Sequence, residues 1–276
     1  MVMATTIWRR RMARMALMVG VACVAPAAGH AGDEPVRLSL ADVANAFDDA
    51  TLRVNTAPAT ELARWTGPIY LAISDAPGMG NVAADVEASV RGLAAIARVP
   101  VTRVGGRDPR ANFVVRPNAG TVAGRSPCRS SVDWTEDGRM LRAEIHLNLA
   151  NPDRIQRCIN HEAMHGFGFR AHAHAALSVL SYTYADQAQL TAIDRIMLET
   201  LYDPRLRPGM ATAAAALVAC HIIAEKLAAP AVQVATACLD RAPAPKRALA
   251  ALGRPRPSGD APATPSLQPG YRDGGM

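Results

Sequence analysis

The run His161-Glu162-Ala163-Met164-His165 sets two imidazoles four residues apart, with a carboxylate beside the first. On a helix, residues four apart share a face about one turn up, so both rings can reach one ion. Zinc takes neutral imidazole nitrogen at roughly 2.0–2.1 Å, and a catalytic zinc site has three protein ligands with water in the fourth place. Glu162 in such a run is the expected general base, able to take a proton from that water without occupying the metal. One helix supplies only two histidines to a tetrahedral site, so a third ligand must return from farther along the chain. Gly168 stands three residues past His165, and glycine accepts the positive φ that a sharp exit from a helix requires. His172 and His174 follow. His172 is the first that can return and is the expected third ligand. His174 is the alternative, since residues two apart share a face in an extended segment.

Farther on, Ser178 to Tyr182 reads SVLSY. With the preceding H-E-x-x-H-x-x-G, this resembles the metzincins, whose signature is H-E-x-x-H-x-x-G-x-x-H followed by a Met-turn. There are two departures. The family's third histidine falls at Ala171 here, one residue before His172, and Leu180 replaces the methionine of the turn, an apolar exchange of similar volume. The resemblance implies a zincin fold in which a twisted mixed sheet lies over the active-site helix and substrate is added along the sheet's edge strand. It also implies that Tyr182 reaches the metal or the tetrahedral intermediate, where a phenol can donate to a developing oxyanion. Two other segments, RWTGPIYLAI from Arg64 and LTAIDRIMLETLYDPRLRPGM from Leu190, resemble a family of secreted bacterial proteins of unknown function. In that family the zinc run is often degenerate, with Glu and Gln in place of the histidines, whereas this chain has it intact.

The elements that must position these residues are legible from periodicity. Ser39 precedes apolar Leu40, Val43, Ala46 and Phe47 and reads as the N-cap of a first helix. IYLAIS from Ile69 is a strand bounded by Gly67-Pro68 and Pro77-Gly78. Asn81 is placed to cap a second helix, in which Val82, Val86, Val90, Leu93 and Ile96 recur at helical spacing. VPVTRV and NFVVRP give two more strands. SSVDWTEDGRMLRAEIHLNL reads as a hairpin around Glu136-Asp137-Gly138, with Asp-Gly as the turn signal. Beyond Tyr182 the chain is helical, with Leu190, Ile193, Met197 and Leu201 on one stripe and AAAALVACHIIAEKLAA as a second apolar helix. The fold class is therefore α+β, and the resemblance implies a metzincin-like twisted mixed sheet with the active-site helix, followed by a mostly helical C-terminal part.

Residues 1–31 read as a secretory signal peptide: Arg9, Arg10, Arg11 and Arg14 form a basic start, then comes an apolar stretch broken by Pro26, then small residues. The break argues against a membrane-spanning helix of about 20 residues, so no stable anchor is expected after cleavage and the chain is placed in the periplasm or outside the cell. Residues 32–242 form one catalytic domain. Residues 243–276, rich in Pro, Gly and Ala with no periodic apolar face, are expected to be disordered. Without the leader's four arginines the formal charge falls from +6 to +2, and the tail alone carries +3, leaving −1 on the domain. The basic residues are thus not gathered on the folded part, which excludes a nucleic-acid footprint. With four Phe and three Trp there is also no aromatic platform for sugars or bases.

Four cysteines remain in the exported chain, Cys128, Cys158, Cys220 and Cys238. An even count points to two disulfides. Of the three connectivities, Cys128–Cys158 with Cys220–Cys238 is preferred because each pair brackets one structural unit. Each closed loop is worth roughly 3–4 kcal/mol on the chain-entropy account. His146 and His221 read as structural or surface histidines, and Asp194 and Glu199 as a helix face or packing ion pair. Glu199 is also the minor candidate for a metal ligand, because another zincin class recruits a glutamate from a downstream helix. The function expected from these residues is zinc-dependent hydrolysis of a protein or peptide substrate, His161, His165 and His172 holding Zn²⁺. In it Glu162 moves the proton from water to the leaving amine. The competing expectation is a cell-envelope binding module that keeps the fold without turnover.

Overall fold

The computed structural model describes residues 38–272 except 55–56, 119–127, 151, 175, 184–185, 240 and 242–270. The leader at 1–31 lies outside them. Of the segment 243–276, Tyr271 and Arg272 are described.

Helix α1 (Leu40–Thr51) starts where the Ser39 hydroxyl accepts the Asp42 N–H at 3.1 Å, and it buries the apolar stripe read from sequence. Two short strands, β1 (Arg53–Val54) and β2 (Ala57–Pro58), form a small antiparallel pair behind it. The main sheet opens with β3 (Ile69–Ile73), whose β-branched and apolar residues are nearly all buried. Helix α2 (Ala83–Ala97) buries Val86, Val90, Leu93, Ala94 and Ala97 on one face. Its expected cap is corrected. Asn81 makes no capping bond, and the helix begins at Val82, which also has no side-chain cap. A 3₁₀ turn over Met79–Asn81 leads in, so the backbone of Met79 already accepts the Val82 N–H and no side chain is needed there.

Strands β4 (Val101–Val104), β5 (Phe113–Pro117), β6 (Arg129–Trp134) and β7 (Met140–Leu147) complete the sheet, with the two-residue β8 (Tyr271–Arg272) at its margin, in the order β4-β3-β5-β7-β6-β8. The first four neighbours are parallel, and β6 and β8 are antiparallel. The fold is therefore a mixed-sheet α+β arrangement. The expected hairpin is β6–β7. Gly138 at its tip has φ of +76°, and a Cβ there would fall 2.1 Å from the Leu62 carbonyl oxygen and 2.3 Å from the Gly209 nitrogen. Glycine is thus required both by conformation and by the chain segments pressed against the tip.

On β5 and β7 alternate residues are buried: Phe113 and Val115, then Ala143, Ile145 and Leu147. Helix α3 (Ile155–Gly166), which carries the His-Glu run, packs against β6 and β7, with α2 beside it. After Tyr182 follow α4 (Ala192–Leu201), α5 (Thr212–Lys226) and α6 (Ala231–Leu239), which gather with α1 into a helical group. The sequence marked the first two of these and passed over α6. Both disulfides have the expected pairing: Cys128–Cys158 ties the start of β6 to the first turn of α3, and Cys220–Cys238 ties α5 to α6. Among the described residues no helix is long and apolar enough to cross a membrane.

Candidate metal centre

Helix α3 is fixed in place before any ligand is considered. Cys158 is bridged to Cys128 near its start. Two residues on, the Asn160 amide accepts the Ser89 hydroxyl of α2 at 2.7 Å and donates to the Ala188 carbonyl at 2.7 Å. At its end, a Cβ on Gly166 would fall 2.6 Å from the Phe113 ring, so the absent side chain is what lets helix and sheet approach. The Trp65 indole N–H donates to the Gly166 carbonyl at 2.8 Å, using one of the carbonyls a helix end leaves open.

The chain then leaves the helix through Gly168, at φ +108°, where a Cβ would lie 2.6 Å from the Ala63 carbonyl oxygen. Beyond the turn the N–H groups of Arg170 and Ala171 both donate to the Ala50 carbonyl, at 2.8 and 3.0 Å, docking the segment on the end of α1. The Arg170 side chain is 1 % exposed. Its guanidinium donates to the carbonyls of Thr51 and Glu61, lies 3.9 Å from the Glu61 carboxylate and stacks 5.3 Å from the Trp134 ring centre. Burial lowers its pKa to about 10, with the Glu61 charge opposing the shift. Two residues after this anchor comes His172.

His161, His165 and His172 are all buried, and their ligand-capable nitrogens lie within 4.8 Å of one another. Nε2 of His161 is 3.2 Å from Nε2 of both His165 and His172. The outer nitrogens define the protonation. Nδ1 of His161 faces the Val179 carbonyl at 2.7 Å, and Nδ1 of His165 faces the Phe169 carbonyl at 2.5 Å. A carbonyl only accepts, so each Nδ1 carries a proton, and in the neutral ring that tautomer leaves Nε2 as the nitrogen able to ligate. Three imidazole nitrogens converge there, two of them on rings backed by carbonyl partners, a donor set that suits a borderline transition metal.

Glu162 is 3 % exposed, beside His161 on α3. Tyr182 is part-exposed at 36 %, and its ring lies 3.9 Å from that of His172 and 6.4 Å from that of His161, centre to centre. His174 is exposed, its ring 6.4 Å from that of His172, and is outside the cluster. Glu199 is remote from the cluster in function: it accepts from Lys226 at 2.9 Å on the surface. His221 is exposed on α5, and His146 lies on β7.

Asp194 is the residue whose importance the sequence conceals. It is 1 % exposed, and its carboxylate accepts the Val179 N–H at 3.1 Å, the Ser178 hydroxyl, and the Thr191 N–H at 2.8 Å. Burial raises its pKa, and these hydrogen bonds oppose the rise. The same carboxylate completes the capping box of α4 with Thr191. Thr191 three residues before Asp194 was the available signal, but the second task, holding the SVLSY turn, depends on a long-range contact. Leu180 in that turn is fully buried.

No curated protein matches the chain. A family model described as Protein of unknown function (DUF2927) matches residues 41–219, a span that runs from α1 into α5 and holds the whole histidine cluster. The chain belongs to the DUF2927 family.

Proposed function

We propose that this protein is an exported zinc-dependent peptidase of metzincin-like organisation, with His161, His165 and His172 as the metal ligands. The observation that carries the reading is the convergence of three buried imidazoles, with the His161 Nε2 3.2 Å from that of each partner, beside a buried Glu162. Three neutral imidazoles suit zinc, and the run they belong to is that of hydrolytic sites. The mixed sheet with an antiparallel strand beyond its parallel members, and the histidine helix packed beneath it, supports the metzincin comparison at the level of organisation. Two disulfides favour an oxidising compartment, in keeping with the signal-like leader.

Zinc bound there supplies Lewis acidity to a carbonyl and a water acidic enough to ionise near neutral pH. The protein's own groups do the rest. Val179 and Phe169 carbonyls hold the two helical imidazoles in the metal-binding tautomer. Glu162 takes the water's proton and delivers it to the departing amine. Tyr182, stacked on His172 with one edge open to solvent, donates its hydroxyl to the oxyanion that develops on the scissile carbonyl.

The test is zinc content by mass spectrometry together with cleavage of a mixed peptide library, for the wild type and for Glu162→Gln. The expected result is one zinc in each protein and cleavage by the wild type, reduced about 10²–10⁴-fold in the variant. Wild-type protein that holds zinc and cleaves nothing would assign the chain to a non-catalytic binding module.

A further inference from the structure

The inner face of the sheet is covered by α3, and the outer face of β5, β7 and β6 carries the alternate residues. There the strand register aligns Arg116 of β5, His146 of β7 and Arg129 of β6 in one cross-strand row. At about 4.8 Å per strand, the two arginines stand roughly 10 Å apart, flanking the imidazole. One step along β7, Glu144 lies between Val114 and Ser131, and one step farther Arg142 stands opposite Asp133. Strand β8 places Arg272 opposite Ser131 in register.

Glu144 is already shared. Arg116 approaches it at 3.1 Å, Arg142 at 3.4 Å and the His146 Nε2 at 3.1 Å. Arg129 is exposed and has no carboxylate partner among the described residues. Beside it opens a cleft of about 270 Å³ lined by Arg129, Ser130, Ser131, Glu144 and His146. That is room for several waters at roughly 30 Å³ each, or for one tetrahedral oxyanion with part of its hydration. Burial presses His146 toward its neutral form; Glu144 resists, while the charges of Arg129 and Arg116 add to the effect. With His146 neutral, Arg116, Arg129 and Arg142 outnumber Glu144 and Asp133, so the patch excludes a metal cation and favours an anion.

We propose that this outer-face cleft binds a phosphate group, held by Arg129 and Ser131 beside His146, while Arg116 across the strand row offsets the charge of Glu144. A tetrahedral phosphate offers more acceptor oxygens than a carboxylate, and it can meet the Arg129 guanidinium fork and the Ser131 hydroxyl together. The site is on the opposite face of the sheet from α3 and is independent of the peptidase reading. The phosphate has two sources, a soluble phosphoester or the headgroup of an anionic phospholipid, and both present the same chemistry to the cleft.

The experiment follows the His146 ring proton by NMR in the full-length protein during titration with inorganic phosphate, against sodium chloride at matched ionic strength. Binding adds negative charge beside His146, so its titration midpoint should rise with phosphate and stay put with chloride. Arg129→Gln and Arg116→Gln, both at exposed positions, should each weaken binding about fivefold or more, with unchanged thermal unfolding as the check on folding. Sedimentation with phosphatidylglycerol vesicles against phosphatidylcholine vesicles distinguishes the sources: retention on the former assigns a headgroup, and phosphate binding without retention assigns a soluble ester. Equal response to chloride and phosphate, or binding that survives both substitutions, overturns the proposal.

Discussion

The Asp194 carboxylate accepts the backbone N–H of Val179 at 3.1 Å, and the carbonyl of that same Val179 accepts from Nδ1 of His161 at 2.7 Å. A buried acid on α4 is thus linked to the ring of His161 on α3 through a single residue, Val179. Groups in this position commonly govern metal affinity about 10–100-fold without touching the ion. Asp194→Ala should therefore weaken zinc binding by about that factor, measured by competition with a chromogenic chelator. Glu199→Gln, on the same helix but on the surface, should leave the affinity unchanged. Equal effects from the two substitutions would remove Asp194 from this role.

The third ligand is tested by comparing two histidines two residues apart. His172→Ala removes a nitrogen from the cluster and should abolish stoichiometric zinc. His174→Ala removes an exposed ring and should retain both zinc and cleavage. The reverse pattern would transfer the ligand role to His174.

Tyr182 stacks on His172 without belonging to the donor set. If its hydroxyl serves the oxyanion, Tyr182→Phe keeps the stacking and loses one donor, which lowers kcat by about a hundredfold with little change in KM. An unchanged kcat would leave the ring a packing role only.

Asp48 supplies a pH signature away from the site. Burial raises its pKa to about 6 even though Arg241 donates to it at 2.7 Å. Because the folded value lies above the ordinary carboxylate value of 3.8, the native state binds more protons than the unfolded chain between about pH 4 and pH 6, and this group's contribution to stability falls as pH rises through that window. Asp48→Asn removes the titration. Its denaturation midpoint, relative to wild type, should therefore become more favourable on going from pH 4 to pH 7. A constant difference would show that Asp48 titrates normally.

The metal cluster was largely legible because its grammar is local. Four-residue spacing, a glycine where the helix must stop and a histidine just beyond need no knowledge of the rest of the chain. The two disulfides and the Asp-Gly hairpin were legible for the same kind of reason. Arg170 was not, since nothing in its neighbours announces a guanidinium held by Thr51, Glu61 and Trp134 from three distant segments. Asp194 was read as a helix face because its capping role is local and its second role is not. The order β4-β3-β5-β7-β6 likewise depends on which strands meet across long connections. Asn81 failed as a cap because a preceding 3₁₀ turn had already satisfied the backbone.

The docking of Arg170 and Ala171 on the Ala50 carbonyl also sets a timetable. His172 is brought to its place by α1, near the start of the domain, and His161 is oriented through Val179 by α4, well beyond the histidines. A chain that has emerged only as far as the histidines has α1 but not α4, so the support that reaches His161 through Val179 is still missing. If the chain is exported and binds a metal as proposed, ion capture waits until both flanks of the domain have closed, so the compartment where folding finishes decides which metal enters.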